Sequence, residues 1–125
     1  MISSVDVVTV HVSDQDRALD FYVGKLGFEK RADSAFGSGW RWVEVAPPGS
    51  RTRLTLAKGF AEDSGAGMGK FTGIVFGTDD VQATYRELSA KGVTFTEPPA
   101  KQDWGMWQAL FTDQDGNGFV LVGPQ

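Results

Sequence analysis

Residues 12–28 read VSDQDRALDFYVGKLGF and residues 77–93 read GTDDVQATYRELSAKGV, so the chain presents one pattern twice. Each stretch follows a run of strand-forming residues and begins with side chains that can cap a helix. Each ends at a glycine, Gly27 or Gly92, which favours helix termination. The candidate caps are Ser13 or Asp14 in the first stretch and Asp79 or Asp80 in the second. The repetition predicts an internal duplication.

Strand-like runs surround both helices in the same order. They cover residues 5–12, 28–31, 40–45 and 53–56 in the first half and 72–78, 93–96, 106–111 and 119–122 in the second. The order predicts an α+β fold of two tandem βαβββ modules, at about 5–58 and 71–123, joined by a glycine-rich linker at about 59–70. We expect a single domain over residues 1–125, an open, cleft-bearing mixed sheet with helices on its outer face. The first helix is predicted to pack through Leu19, Tyr22, Val23 and Leu26.

Composition excludes several classes of function. The chain has 125 residues, a formal net charge of −4 and no cysteine. It has no basic cluster to neutralise phosphates, so we expect no nucleic-acid partner. An acidic surface mildly favours cationic small molecules. No signal-like N-terminus and no apolar run of roughly 18 residues is present, so we expect a cytoplasmic protein without a membrane partner.

Alternation along two strands predicts which side chains face away from the helix. On the first strand Val8, Val10 and Val12 form one apolar face. On the WRWVEV strand, Val43 and Val45 form the equivalent face. The open face is then predicted to carry Val7, Thr9, His11, Trp40, Trp42 and Glu44.

The second half is predicted to add space and flat walls to a cleft. Gly73 and Gly77 leave room, while Trp104 and Trp107 come near by in the run DWGMWQALF. A cleft of this kind suits a planar or extended organic molecule held by stacking and a few polar anchors. The tryptophans could equally belong to the core or to a dimer interface.

Three segments together resemble the vicinal oxygen chelate superfamily, the group of glyoxalases, bleomycin-resistance proteins and extradiol dioxygenases. They are VSDQDRALDFYVGKLGF, FGTDDVQATYRELSAKGV and DQDGNGFVLV, and the resemblance covers nearly the whole chain. It implies the fold predicted above and a homodimer. Function follows less directly, because members range from metalloenzymes to proteins that only sequester drugs.

The resemblance also implies where metal ligands would lie. The family's ligand positions fall on Val7, Gly73, Val120 and either Arg53 or Thr55. None of these supplies the imidazole or carboxylate donors that a divalent ion needs, usually three or four in number. His11 is the one histidine, and a single donor does not make a site. We therefore expect no metal and no cofactor.

For three polar residues the sequence allows more than one role. His11 could be structural, contact a ligand or act as a general base, and Glu44 could bind a cation or be a solvated strand residue. Arg53 could anchor an anionic ligand or pair with Glu44 across the hairpin.

The leading hypothesis is a metal-free binder of a small aromatic or extended molecule, through Thr9, His11, Trp40, Trp42, Arg53, Gly73, Trp104 and Trp107. The alternatives are a glyoxalase-like lyase, isomerase or dioxygenase, with His11 and Glu44 as candidate catalytic residues, and a partner-binding domain.

Overall fold

A computed structural model of the chain describes residues 1–37, 39–59 and 67–125. The chain divides into two compact units, Met1–Met68 and Gly69–Gln125. Residues 60–66, which make up most of the predicted linker, lie outside the described residues.

The first unit holds a four-stranded mixed sheet in the order β1-β4-β3-β2. β1 pairs with β4 in parallel, and the other neighbours are antiparallel. Its elements are β1 (Val7–His11), α1 (Gln15–Leu19), a π-helical segment (Asp20–Lys25), β2 (Glu29–Phe36), β3 (Trp40–Ala46) and β4 (Arg53–Ala57).

The second unit repeats this topology in a sheet of order β5-β8-β7-β6. Its elements are β5 (Phe71–Gly77), α2 (Val81–Ala90), β6 (Thr94–Lys101), β7 (Trp107–Thr112) and β8 (Gly118–Gly123). The two tandem βαβββ modules and the α+β class predicted from the sequence are confirmed.

Both helices begin at an aspartate cap. The Asp14 carboxylate accepts a hydrogen bond from the Arg17 backbone N–H at 3.0 Å, and Asp80 accepts one from Ala83 at 2.9 Å. Each bond satisfies an amide that has no partner inside the helix. Of the candidate caps, Asp14 and Asp80 therefore fill the position.

The first helix packs on a face that differs in part from the one predicted. It continues from α1 into the π-helical segment, in which Leu26 N–H donates to Phe21 O. The buried side chains are Gln15, Ala18, Phe21 and Tyr22, which follow helical spacing, whereas Val23 is 37% exposed. Of the expected stripe, Tyr22 is buried, Leu19 and Leu26 are partly buried, and the expectation for Val23 is wrong.

A cluster of aromatic rings fills the space between α2 and its sheet. Phe76 stacks on Phe119 with ring centroids 5.1 Å apart, and Phe111 lies 5.6 Å from Phe119. Phe95 links this stack to Tyr85 of α2, with the Tyr85 and Phe95 centroids 4.8 Å apart. Burial of these rings holds the helix on one face of the sheet and leaves the other face without a helix.

The two outer strands are longer than their sequences predicted. β2 continues to Phe36, which pairs with Trp40, and β6 continues through Pro98 and Pro99 to Lys101. Both strands are sheet edges in the order of pairing. Proline is tolerated there because one side of an edge strand needs no ladder hydrogen bonds.

An ionic contact ties β2, β3 and the start of α1 together, and it predicts a dependence of stability on pH. Both Asp33 carboxylate oxygens accept from Arg41, at 2.8 Å each, and Arg41 Nη1 donates to Asp16 at 2.8 Å. The hydrogen bonds from Arg41 lower the pKa of Asp33 from 3.8 to about 2.

A carboxyl group whose pKa is lower in the folded state stabilises the fold at pH values above the pKa that it has in the unfolded chain. That contribution is lost as the pH falls from about 4 to about 2. Allowing for solvent screening of a surface pair, we expect the loss to be about 1 kcal/mol. Urea unfolding at pH 6 and pH 2.5 should show this extra loss in the wild type but not in Asp33→Asn. A Glu29→Gln control should behave as the wild type, and parallel curves for all three proteins would contradict the assignment.

Candidate functional site

The face of the first sheet opposite the helix, called here the open face, carries the polar and aromatic residues that alternation predicts. Val10, Val43 and Val45 are buried at 2%, 0% and 0% exposure on the helix side. On the open side Thr9 pairs with Thr55, and Thr55 in turn pairs with Glu44. The open face comprises Val7, Thr9, His11, Glu29, Ala32, Ser34, Phe36, Trp40, Trp42, Glu44, Ala46, Arg53, Thr55 and Ala57.

Glu44 is the centre of a polar cluster on this face. Its Oε2 accepts a hydrogen bond from Trp42 Nε1 at 2.8 Å, and its Oε1 lies 2.7 Å from Arg53 Nε. The side chains of Glu44 and Arg53 are 12% and 32% exposed. The Arg53 N–H does not point at Oε1, so the contact is an ion pair without hydrogen-bond geometry. Glu44 is therefore a held carboxylate rather than a solvated strand residue.

Aromatic side chains lie beside this cluster. The rings of Phe36 and Trp42 meet edge to face, with centroids 6.4 Å apart. Phe36 and Trp40 are 43% and 40% exposed and pair across the end of the β2–β3 hairpin. Phe36 is not among the residues predicted from the sequence. The run FGSGW could have indicated it, since it places one aromatic residue on each side of a glycine-rich turn.

His11 ends β1 on the same face and is packed against the backbone. A Cβ atom placed on Gly67 would lie 2.5 Å from His11 Cδ2, so the imidazole fits against this glycine because it has no side chain. Thr9, one pleat away, is exposed. The structure thus places His11 in a packed setting at the edge of the open face.

The residues at the family's metal positions do not fit a metal ion. Val7 and Arg53 are partners in the β1–β4 register, and Val120 pairs with Val75. Thr55 donates its hydroxyl to Val43 O at 3.1 Å. Within residues 1–37, 39–59 and 67–125, no three His, Asp or Glu side chains form a group that could hold a metal. The guanidinium of Arg53 brings a positive charge where a cation would need donors.

The remaining predicted residues belong to the second unit. Gly73 has φ +77° at an irregular point of the β5–β8 register, and an added Cβ would meet nothing within 4 Å. Trp104 is 61% exposed in the turn before β7. Trp107 alternates with Ala109 and Phe111, so it lies on the face that carries α2. The sequence predicts Trp107 near the cleft, whereas its side chain lies on the helix side of the second sheet.

A family comparison covers both units of the fold. Residues 4–121 match the model of the Glyoxalase/Bleomycin resistance protein/Dioxygenase superfamily. The chain belongs to this superfamily.

Similar members span nearly the whole chain. A solved superfamily member from Sphaerobacter thermophilus DSM 20745 is 44% identical, with a TM-score of 0.92 and 98% of each chain covered. The antibiotic-binding protein TnmS3 from Streptomyces sp. CB03234 is 40% identical, with a TM-score of 0.85, 99% of this chain covered and 98% of TnmS3. YetH from Bacillus subtilis (strain 168) is 38% identical over 121 residues, covering 97% of this chain and 98% of YetH.

None of the helices in the described ranges has the length and apolar character that crossing a membrane requires.

Proposed function

We propose that this superfamily member is a metal-free protein that binds an aromatic or extended organic molecule on the open face of its first unit. The observation that carries the proposal is the set of aromatic rings around a charge-neutralised Glu44, namely the exposed Phe36 and Trp40 and the partly buried Trp42. The antibiotic-binding activity of TnmS3, at 40% identity, supports a small molecule as the ligand.

The chemistry of the face supports binding without a metal. Stacking on each well-placed aromatic side chain contributes about 0.5–1.5 kcal/mol beyond burial of area. Two or three such contacts contribute about 1–4.5 kcal/mol, so burial of the ligand's apolar surface has to supply the rest of the roughly 8 kcal/mol of a micromolar affinity. The family's metal positions hold Val7, Arg53, Gly73 and Val120, which supply no imidazole or carboxylate.

Further parts of the proposal come from the sequence. We propose that Thr9, His11, Gly73 and Trp104 also contact the ligand, and that both modules act as one domain. We further propose a cytoplasmic homodimer with neither nucleic acid nor membrane as a partner.

Ligand binding should depend on Trp42. Aromatic antibiotics added to the full chain should quench tryptophan fluorescence in a saturable way, and Trp42→Leu should weaken the affinity about tenfold, since it removes one stacking surface. The control is Trp107→Phe, on the helix-bearing face of the other sheet, which should bind as the wild type does.

Two results would overturn the proposal. One is the absence of saturable quenching by any compound of the panel. The other is stoichiometric Zn, Ni, Fe or Mn in elemental analysis of the purified protein, which would favour a metalloenzyme.

A further inference from the structure

We propose that the ligand of the open face carries a carboxylate or a similar planar oxyanion, and that the two Nη groups of Arg53 bind it. This inference rests on the proposed function, which concerns the same face, and it names the chemical class of the ligand. It reverses the mild preference for cationic molecules that the net charge of −4 suggests.

Glu44 is not placed to bind a cationic ligand. One of its oxygens accepts from the Trp42 indole at 2.8 Å and the other lies 2.7 Å from Arg53 Nε. Its side chain is only 12% exposed. Because so little of this carboxylate is accessible and its charge is balanced by Arg53, it attracts a ligand ammonium less than an exposed, unpaired carboxylate would. Glu44 is therefore already used within the protein.

Arg53, by contrast, retains donors. Arginine has five N–H groups in a planar fork that matches a carboxylate with two parallel bonds. In the described ranges this guanidinium forms no hydrogen bond, and the atom of Arg53 that lies 2.7 Å from Glu44 is Nε. Nε is fully covered while the side chain is 32% exposed, so the accessible surface belongs to other atoms of the side chain. The Nη groups are the hydrogen-bonding groups that remain.

The aromatic rings lie next to these donors. Glu44 contacts both Arg53 and Trp42, and Trp42 contacts Phe36. A ligand whose ring stacks near Trp42 can therefore place a substituent at Arg53. Among the residues that define the open face, the ionisable side chains are His11, Glu29, Glu44 and Arg53. Glu29 is paired with Arg31, whose two Nη groups donate to Ser50 O and Pro47 O. Arg53 is thus the positive charge beside Trp42 that keeps donors for a ligand, and an aryl carboxylate is the class of ligand that satisfies both features.

The test compares three naphthalene probes of one ring size on the full chain at pH 7, by calorimetry. They are 1-naphthoate, 1-naphthylmethanol and 1-naphthylmethylammonium. We expect the wild type to bind the carboxylate at least tenfold more tightly than the alcohol and to bind the ammonium most weakly. The double variant Arg53→Met/Glu44→Gln should lose the preference for the carboxylate while still binding the alcohol.

The double variant is chosen because Arg53→Met alone would leave Glu44 as a largely covered charge without its cation. The glutamine at position 44 can still accept from the Trp42 indole. Arg51→Met is the matched control, because Arg51 is exposed and contacts Ser4. It should keep the tenfold preference.

The outcomes separate the two proposals. Equal binding of the carboxylate and the alcohol, tightest binding of the ammonium, or an unchanged preference in the double variant overturns the role of Arg53 and leaves the aromatic binder standing. Binding of none of the three probes overturns both.

Discussion

Replacement of Gly123 by alanine is expected to cost about 3 kcal/mol of unfolding free energy, at the upper end of overpacking effects. Gly123 is buried at the end of β8, where a Cβ atom would lie 2.2 Å from Thr78 O and 3.1 Å from Val81 Cγ2. Neither neighbour can move easily. Thr78 donates its backbone N–H to Val122 O at 2.9 Å, and Val81 is fully buried at the start of α2. Urea unfolding at 25 °C and neutral pH measures the change.

Gly77→Ala is the matched control for this effect. Gly77 ends β5 in the same sheet, and a Cβ atom there would meet nothing within 4 Å. We expect its free energy of unfolding to change by no more than about 0.5 kcal/mol. Similar losses in the two variants would show that strand propensity, rather than the approach of Thr78 to Gly123, sets the cost.

The faces of β3 could be predicted because apolar and polar or aromatic side chains alternate along its sequence. In β3 the buried positions Val43 and Val45 fix the opposite direction for Trp42 and Glu44. The register then brings Glu44 into the same row as Thr55, next to Arg53. A period of two residues is a property of the strand itself, so it needs no knowledge of the partner strands.

Features set by tertiary structure could not be predicted in the same way. The first helix continues as a π-helical segment, and no residue type in DFYVGK marks it. The extension of β2 as far as Phe36 depends on pairing with β3, since its own residues have weak strand preference. Trp107 is predicted near the cleft because it follows Trp104 closely in the chain. Alternation from Phe111 instead puts its side chain on the face of the second sheet that carries α2.

For Glu44 and Arg53 the sequence predicted the positions on the strands but not the bonding. The sequence allowed Arg53 either to pair with Glu44 or to bind an anion, as if these were exclusive. In the structure Arg53 Nε lies 2.7 Å from Glu44 Oε1, and the guanidinium forms no hydrogen bond in the described residues. Because a guanidinium has several donors, pairing at Nε is compatible with ligand binding at the Nη groups. The two interpretations of Arg53 therefore combine in one residue.

Asp113→Ala is expected to cost about 3 kcal/mol of unfolding free energy, because the side chain organises the turn between β7 and β8. Its Oδ1 accepts from the backbone N–H groups of Asp115 and Asn117 at 2.9 and 3.0 Å, and its Oδ2 accepts from Asn117 Nδ2 at 2.9 Å. Asn117 is fully buried, and its Oδ1 accepts from Gly69 N–H at 2.9 Å. Loss of three acceptor contacts at a buried position costs about 1 kcal/mol for each.

A graded series of variants separates this account from a general sensitivity of turns. Asp113→Asn keeps one oxygen for the two backbone N–H groups and loses the acceptor for Asn117 Nδ2, so we expect a cost of about 1 kcal/mol. Asp103→Ala, an exposed aspartate in the turn before β7, should change stability by no more than about 0.5 kcal/mol. Equal stability of Asp113→Ala and Asp103→Ala in urea unfolding would contradict the assignment. The expected order of stabilities would instead show that the Asp113 carboxylate stabilises this turn. Its contacts hold Asn117 where the Asn117 side chain accepts the hydrogen bond from Gly69.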